Sequence, residues 1–202
     1  GLAALLGVAA GVAAAVGHGR VLDAAIMTVA LLGISTPVFW LGMMLVLLFA
    51  VTLGWFPISG YGEGDWRHLI LPALTLGALH VGYIARMTRS SLLEVLGEDY
   101  IRTARAKGLR ESVVLLKHGL RNAALPVLTL LGSLLPALFG GAVIVEVIFN
   151  LRGMGLLSFQ AINQQDYTLL SSIMLISAVL VLFGMFLVDI LYTLVDPRIT
   201  FE

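Results

Sequence analysis

Apolar positions fall into five long runs, separated by three short polar breaks and one long basic segment. A helix needs about 20 residues to cross roughly 30 Å of hydrocarbon. The runs 24–53, 69–85, 125–149 and 168–195 reach or approach that length, and 1–16 is shorter and rich in Ala and Gly. The pattern predicts an all-α integral membrane protein with five transmembrane helices in a single domain, 1–202. Gly1 opens inside an apolar run without an initiator Met, so the chain reads as a piece that has lost its natural start.

Within the runs, Gly7 and Gly11 form a small-xxx-small spacing, which either admits a close helix neighbour or is a chance feature of an Ala/Gly-rich segment. Pro37, preceded by Ser35-Thr36, predicts a bend in the second span, because proline removes a backbone donor and a nearby hydroxyl can satisfy the freed carbonyl. The break 54–68 mixes Gly and Pro with Trp55, Tyr61 and Trp66, as a loop at the membrane interface does. The break 150–167 is more polar, and 156–165 fits a short helix lying at the surface.

Composition agrees with lipid as the main solvent. Hydrophobic residues make up 59% and charged residues 12%, where a soluble domain carries about a quarter charged. There are no cysteines, which excludes a disulfide framework and thiol chemistry. The net charge of zero hides an asymmetry. Arg86, Arg89, Arg102, Arg105, Lys107, Arg110, Lys117 and Arg121 are eight of the twelve basic residues, and with Glu94, Glu98, Asp99 and Glu111 they give 86–121 a net charge of +4. Lys and Arg stay on the cytoplasmic side of a membrane. The loop 86–124 is therefore expected inside, with 18–23 and the C-terminus, while 54–68 and 150–167 lie outside.

The basic loop has its own periodicity. Asp99 is placed to cap a helix over 100–107, Lys107 to suit its C-terminal dipole, and Gly108 to stop it at positive φ. Ile101 and Ala104 share one face, and Ala104 and Ala106 leave surface small enough to enter a groove. A second amphipathic helix is expected over 112–124, with Val113, Leu116 and Leu120 as its apolar stripe and Pro126 as its end. Lys117 and Arg121, four apart, are a like-charged pair suited to lipid phosphates or a partner's carboxylates.

The run from Ala85-Arg86-Met87-Thr88-Arg89 to Asp99-Tyr100-Ile101-Arg102-Thr103-Ala104-Arg105-Ala106-Lys107-Gly108 closely resembles the dipeptide/oligopeptide/nickel branch of binding-protein-dependent ABC transporter permeases. Ser35-Thr36-Pro37-Val38-Phe39-Trp40, Leu69-Ile70-Leu71-Pro72, Arg121-Asn122-Ala123-Ala124-Leu125-Pro126, Gly140-Gly141-Ala142 to Glu146, and Asp196-Pro197-Arg198-Ile199 extend the likeness over almost the whole chain. The chain looks like the first permease of such a pair without its N-terminal helix. The resemblance implies a MetI-like ABC permease fold whose sixth span lies in the missing segment.

In that family the loop carries the EAA motif, whose short helix docks into a groove on the ATPase. Carried onto this sequence, the coupling residues are Arg102, Thr103, Ala104, Arg105, Ala106 and Lys107, with Gly108 as the turn. Arg102 and Thr103 stand where the general motif has Glu-Ala, and Thr168 stands where the family usually has proline. The implied partners are a second permease subunit, two ATP-binding subunits and an external solute-binding protein. The implied setting is multi-pass, in the plasma (inner) membrane of a bacterium or archaeon, in contact with lipid and with no nucleic acid.

Other chemistry is thinly supported. No GxxxxGK[ST] is present, so no cofactor is expected on this chain, and ATP belongs on the partner subunit. The histidines are scattered, without metal-ligand spacing. Ionisable groups inside spans are functional suspects because burying them in lipid is costly. His80 is either a neutral residue bonded to a neighbouring helix or part of a pathway. Glu146 either lines the outward mouth or packs helices together, and Asp189 sits near enough to an end to reach the interface. An ion-driven secondary transporter would call for inverted repeats and several buried carboxylates, and neither is visible. An intramembrane hydrolase would rest on His80 with Ser35 alone.

Overall fold

The computed structural model describes the backbone of residues 1–139 and 142–195. Gly140-Gly141 and the terminal Asp196-Pro197-Arg198-Ile199 lie outside the described residues, as do the side chains of 63, 135–139, 188, 189 and 191–195, Asp189 among them. The described residues form helices and turns, with no strand. In chain order the helices are α1 (Leu2–Val16), α2 (Val21–Ser35), α3 (Val38–Leu45), α4 (Arg67–Leu96), α5 (Asp99–Ala106), α6 (Glu111–Val113), α7 (Arg121–Phe139), α8 (Val143–Ile148), α9 (Met154–Asn163) and α10 (Tyr167–Val195). Two π-helical stretches, Val46–Thr52 and Val114–Leu120, continue α3 and α6.

The five apolar runs are helical, but not as five simple spans. Among the described residues, α4 and the Tyr167–Leu187 part of α10 are each long and apolar enough to cross a membrane. A third crossing exists if α2 and α3 with its π extension count as one broken span. At 15 residues, α1 is shorter than a full crossing. Apolar side chains stand exposed along α10, where Leu175 is 68% and Leu182 66% exposed.

Prolines act differently along the chain. The second span is interrupted at Pro37, whose extended backbone (φ −58°, ψ 132°) separates α2 from α3. Pro72 lies inside α4 and Pro126 inside α7, and both helices continue through them. The expectation that Pro126 ends a loop helix is corrected: helix runs unbroken from Glu111 to Phe139. In an apolar setting a lost hydrogen bond costs less than unravelling a turn whose groups would find no water. Within the fourth run, α7 is described to Phe139 and α8 starts at Val143.

The chain forms two compact units, residues 1–35 with 78–131, and residues 36–77 with the chain from 132 on. In the first unit, α1 and α2 form a helical hairpin closed by Gly19 at φ +75° and by Arg20 N–H donating to Gly17 O at 2.9 Å. Both helices lie very close to the later part of α4. A Cβ on Gly11 would fall 2.5 Å from Thr88 Cβ and 2.6 Å from Ala85 O, and one on Gly7 would fall 2.7 Å from Ile84 Cβ. On the α2 side, a Cβ on Gly82 would fall 2.6 Å from Ala30 O. The small-xxx-small spacing is thus a packing face. Beyond it, Ala15, Leu92 and Ala123 form a buried cluster.

In the second unit, Ala50, Leu71, Val145 and Phe149 form the core. Phe149 O accepts from Gly60 N–H at 2.9 Å, which ties the glycine-rich loop to this core. Trp55, Tyr61 and Trp66 of that loop stay exposed. The surface helix expected over 156–165 is α9, and Asp166 then caps α10 by accepting from Leu169 N–H at 2.9 Å.

Candidate functional site

The basic loop builds a short helix with two unlike faces. The inner face of α5 is Ile101 and Ala104, both buried, packed with Val114 and with Val95 and Leu96 at the end of α4. Arg102, Thr103, Arg105, Ala106, Lys107 and Gly108 are exposed. Ala104 therefore serves the loop's own packing, and only Ala106 of the two alanines offers a small outer surface. Asp99 does not cap α5 as expected. It is the first helical residue, Glu98 precedes it without a side-chain cap bond, and the Asp99 carboxylate pairs with Arg102 one turn on.

The C-terminal end of α5 is closed by backbone alone. Gly108 sits at φ +74°, its N–H donates to Arg105 O at 2.9 Å, and Leu109 N–H donates to Ala104 O at 3.4 Å. These two bonds are the Schellman pattern, which satisfies carbonyls a helix end leaves bare. Across this turn Arg105 grips Glu111, with Nη2 2.6 Å from Oε1 and Nε 3.2 Å from Oε2. The hydrogen bond from Arg105 holds the Glu111 carboxyl below its ordinary pKa and raises that of Arg105. No ion pair involves Lys107 or Arg110 among the described residues, and both are exposed.

The second loop helix turns a different face inward from the one its periodicity predicts. Val114, Gly119 and Ala123 are buried, while Val113 is 37% and Leu116 58% exposed. The cause is the π-helical stretch Val114–Leu120, whose i→i+5 bonding moves residues off the 3.6-residue stripe. Lys117 and Arg121 are exposed, and Asn122 Nδ2 donates to Tyr100 Oη at 2.8 Å, joining this helix to α5.

One constellation was not expected from the sequence. Arg89 is not a free loop cation: its Nε lies 2.6 Å from Asp23 Oδ1 and its Nη2 2.7 Å from Asp23 Oδ2. Asp23 is buried, and its Oδ2 also accepts from Gly19 N–H at 3.1 Å. His18 Nδ1 lies 3.2 Å from the same oxygen and 3.0 Å from Arg89 Nη2, donating to the first or accepting from the second according to its tautomer. A signal was present, since Asp23 is the only acidic residue in the first 62.

The residues named inside the spans lie elsewhere. Pro37 is the N-cap of α3. His80 lies within α4, its Nδ1 buried and without a hydrogen-bond partner. Glu146 on α8 clamps the start of α9: Oε2 accepts from Leu156 N–H at 2.9 Å, Oε1 accepts from Ala142 N–H at 3.3 Å, and Gly153 lies against the carboxylate. A carboxylate there meets the free N–H groups of a helix N-terminus. Among the described residues, no group of three or more His, Asp or Glu could hold a metal ion.

Comparison with known proteins covers nearly the whole chain. The glutathione transport system permease proteins GsiC of Escherichia coli (strain K12) and Salmonella typhi are each 46% identical over 201 residues, 99% of this chain and 65% of their own length. The di/tripeptide transport system permease protein DppB of Pseudomonas aeruginosa (strain UCBPP-PA14) is 44% identical over 223 residues, 98% of this chain and 66% of its own. The chain thus spans about two thirds of the length of these curated relatives. A family model matches residues 7–201. This chain belongs to the family of binding-protein-dependent transport system inner membrane components.

Proposed function

We propose that this chain is a transmembrane permease subunit of an ABC importer, forming half of a translocation pathway and coupling to a separate ATPase through α5. A second permease subunit completes the pathway, two ATP-binding subunits dock on the inner loops, and an external binding protein delivers the substrate. The loop 86–124 faces the cytoplasm. Relatives named for glutathione and for di- and tripeptides support short peptides as the substrate class. ATP is hydrolysed on the partner, because this chain has no phosphate-binding loop.

The observation that carries this reading is the division of α5. Ile101 and Ala104 fasten the helix to its own subunit, while Arg102, Thr103, Arg105, Ala106 and Lys107 are offered to a partner around a turn fixed by Gly108. A helix held at one face and bare at the other transmits displacement in both directions: when the ATPase moves α5, the end of α4 moves with it through Val95 and Leu96.

The test is uptake in the assembled transporter, with Gly108→Val or with Arg105 and Lys107 both changed to Glu. Insertion is expected to persist and ATP-driven uptake to be lost. Normal uptake by these variants would sink the coupling assignment. Uptake that survives ATP depletion and collapses with an ionophore would point to an ion-driven carrier instead.

A further inference from the structure

Apolar contacts fix where helices touch but leave them free to slide and turn, whereas a two-point charged contact sets height and rotation together. At the base of the basic loop, the first unit carries such a contact between α2 and α4. Asp23 Oδ1 and Oδ2 take Arg89 Nε and Nη2 at 2.6 and 2.7 Å, with Gly19 N–H and His18 Nδ1 completing the ring around Oδ2. The pair is shielded, with 7% of the Asp23 and 25% of the Arg89 side chain exposed. Past Arg89, Leu92 is fully buried with Ala15 and Ala123, and Val95 and Leu96 carry α5. From Arg89 to Leu96 is about 10 Å of continuous helix at 1.5 Å per residue.

We infer that Asp23 and Arg89 are positioning residues for coupling: together they pin the stem of α4 that carries α5 to the turn between α1 and α2. The inference rests on the proposed role of α5. Neither residue meets the ATPase or the substrate. They set the angle from which the outer face of α5 is presented, and they carry movement of α5 into α1 and α2. Breaking the pair leaves the stem held by side-chain packing alone, so the stroke is dissipated before it reaches those helices.

The experiment uses the assembled transporter in proteoliposomes, with glutathione and dialanine as probes, and reads uptake per ATP hydrolysed. Asp23→Asn removes the charge at constant size. Arg89→Lys keeps the charge but cannot engage both oxygens, which makes it the variant least able to fail by misfolding. Both are expected to insert and to hydrolyse ATP, with the uptake-to-hydrolysis ratio reduced by about tenfold, within the usual size of a coupling free energy. The double variant Asp23→Asn with Arg89→Lys is expected to be no worse than either single variant, because the residues act as a unit. Unchanged ratios overturn the inference. So do uptake and hydrolysis falling in equal proportion, the mark of a merely structural role, and so do additive losses in the double variant. If Gly108→Val leaves uptake intact, the coupling reading itself fails. If Gly108→Val uncouples while the Asp23 and Arg89 variants keep the normal ratio, only this inference fails.

Discussion

Arg105 reaches over the turn at Gly108 to hold Glu111, Nη2 to Oε1 at 2.6 Å, so a residue that sequence alone offers to a partner also braces the loop. The pair sits in water and is modest in strength for that reason. Its use lies in geometry: it fastens the last turn of α5 to the first turn of α6.

This pair makes the loop sensitive to acid. The hydrogen bond from Arg105 lowers the Glu111 pKa in the folded loop. A group with a depressed folded pKa stabilises the fold above its unfolded value, about pH 4.3 for Glu, and loses that contribution as pH falls through the folded pKa. Hydrogen exchange at Gly108 and Leu109, corrected for intrinsic rates, is expected to accelerate on acidification through that window. In Glu111→Gln the extra acceleration should vanish; if it persists, the brace has another source.

Gly108 should matter through its backbone alone. A Cβ there meets nothing within 4 Å, so any cost of substitution comes from φ +74°. Gly108→Val is expected to destabilise the loop by about 1–2 kcal/mol, the left-handed penalty for a residue with a side chain. Gly108→Asn should recover much of the loss, since Asn tolerates that region. Loop protection measured by hydrogen exchange separates the two variants, and equal behaviour would contradict the account.

The crossing of α1 with α4 leaves no room. Gly11→Ala places its Cβ 2.6 Å from the Ala85 carbonyl, a backbone atom that cannot rotate away. Thermal unfolding in detergent is expected to show a loss of about 1–3 kcal/mol, as in other overpacked interiors. Gly19→Ala, where a Cβ meets nothing, tests the contrast: there only the cost of φ +75° remains.

Glu146 is expected to act on stability through α9. Glu146→Ala leaves Leu156 N–H without its acceptor, at a cost of about 1–2 kcal/mol by analogy with a lost helix cap. Glu146→Gln keeps an acceptor oxygen and should cost less. Detergent thermal unfolding orders the variants, and an alanine variant as stable as the parent would contradict the clamp.

Much of the helical layout was legible because it rests on local rules. The end of α5 at Gly108 follows from a glycine after a basic last turn, and the buried pair Ile101 and Ala104 follows from helical spacing. Where the structure departs from the sequence pattern, the causes are physical. Asp99 was placed as a cap, yet its carboxylate is turned along the helix by Arg102, a competition that spacing cannot decide. Val113 and Leu116 were placed on the buried stripe of a 3.6-residue helix, but the π-helical turn presents Val114 and Gly119 instead. The Asp23–Arg89 pair joins residues 66 apart, and only tertiary structure brings such partners together.

The closure of α5 by backbone hydrogen bonds has an evolutionary consequence. Shape and chemistry are encoded at different places: one glycine sets where the helix stops, and no side chain from Arg102 to Lys107 is needed to end it. The outward positions Arg102, Thr103, Ala106 and Lys107 are free to diverge with the protein they meet while the scaffold beneath them stays constant. A lineage that duplicates this transporter has a ready route to insulating the two copies from each other, by rewriting a handful of surface letters without relearning the fold.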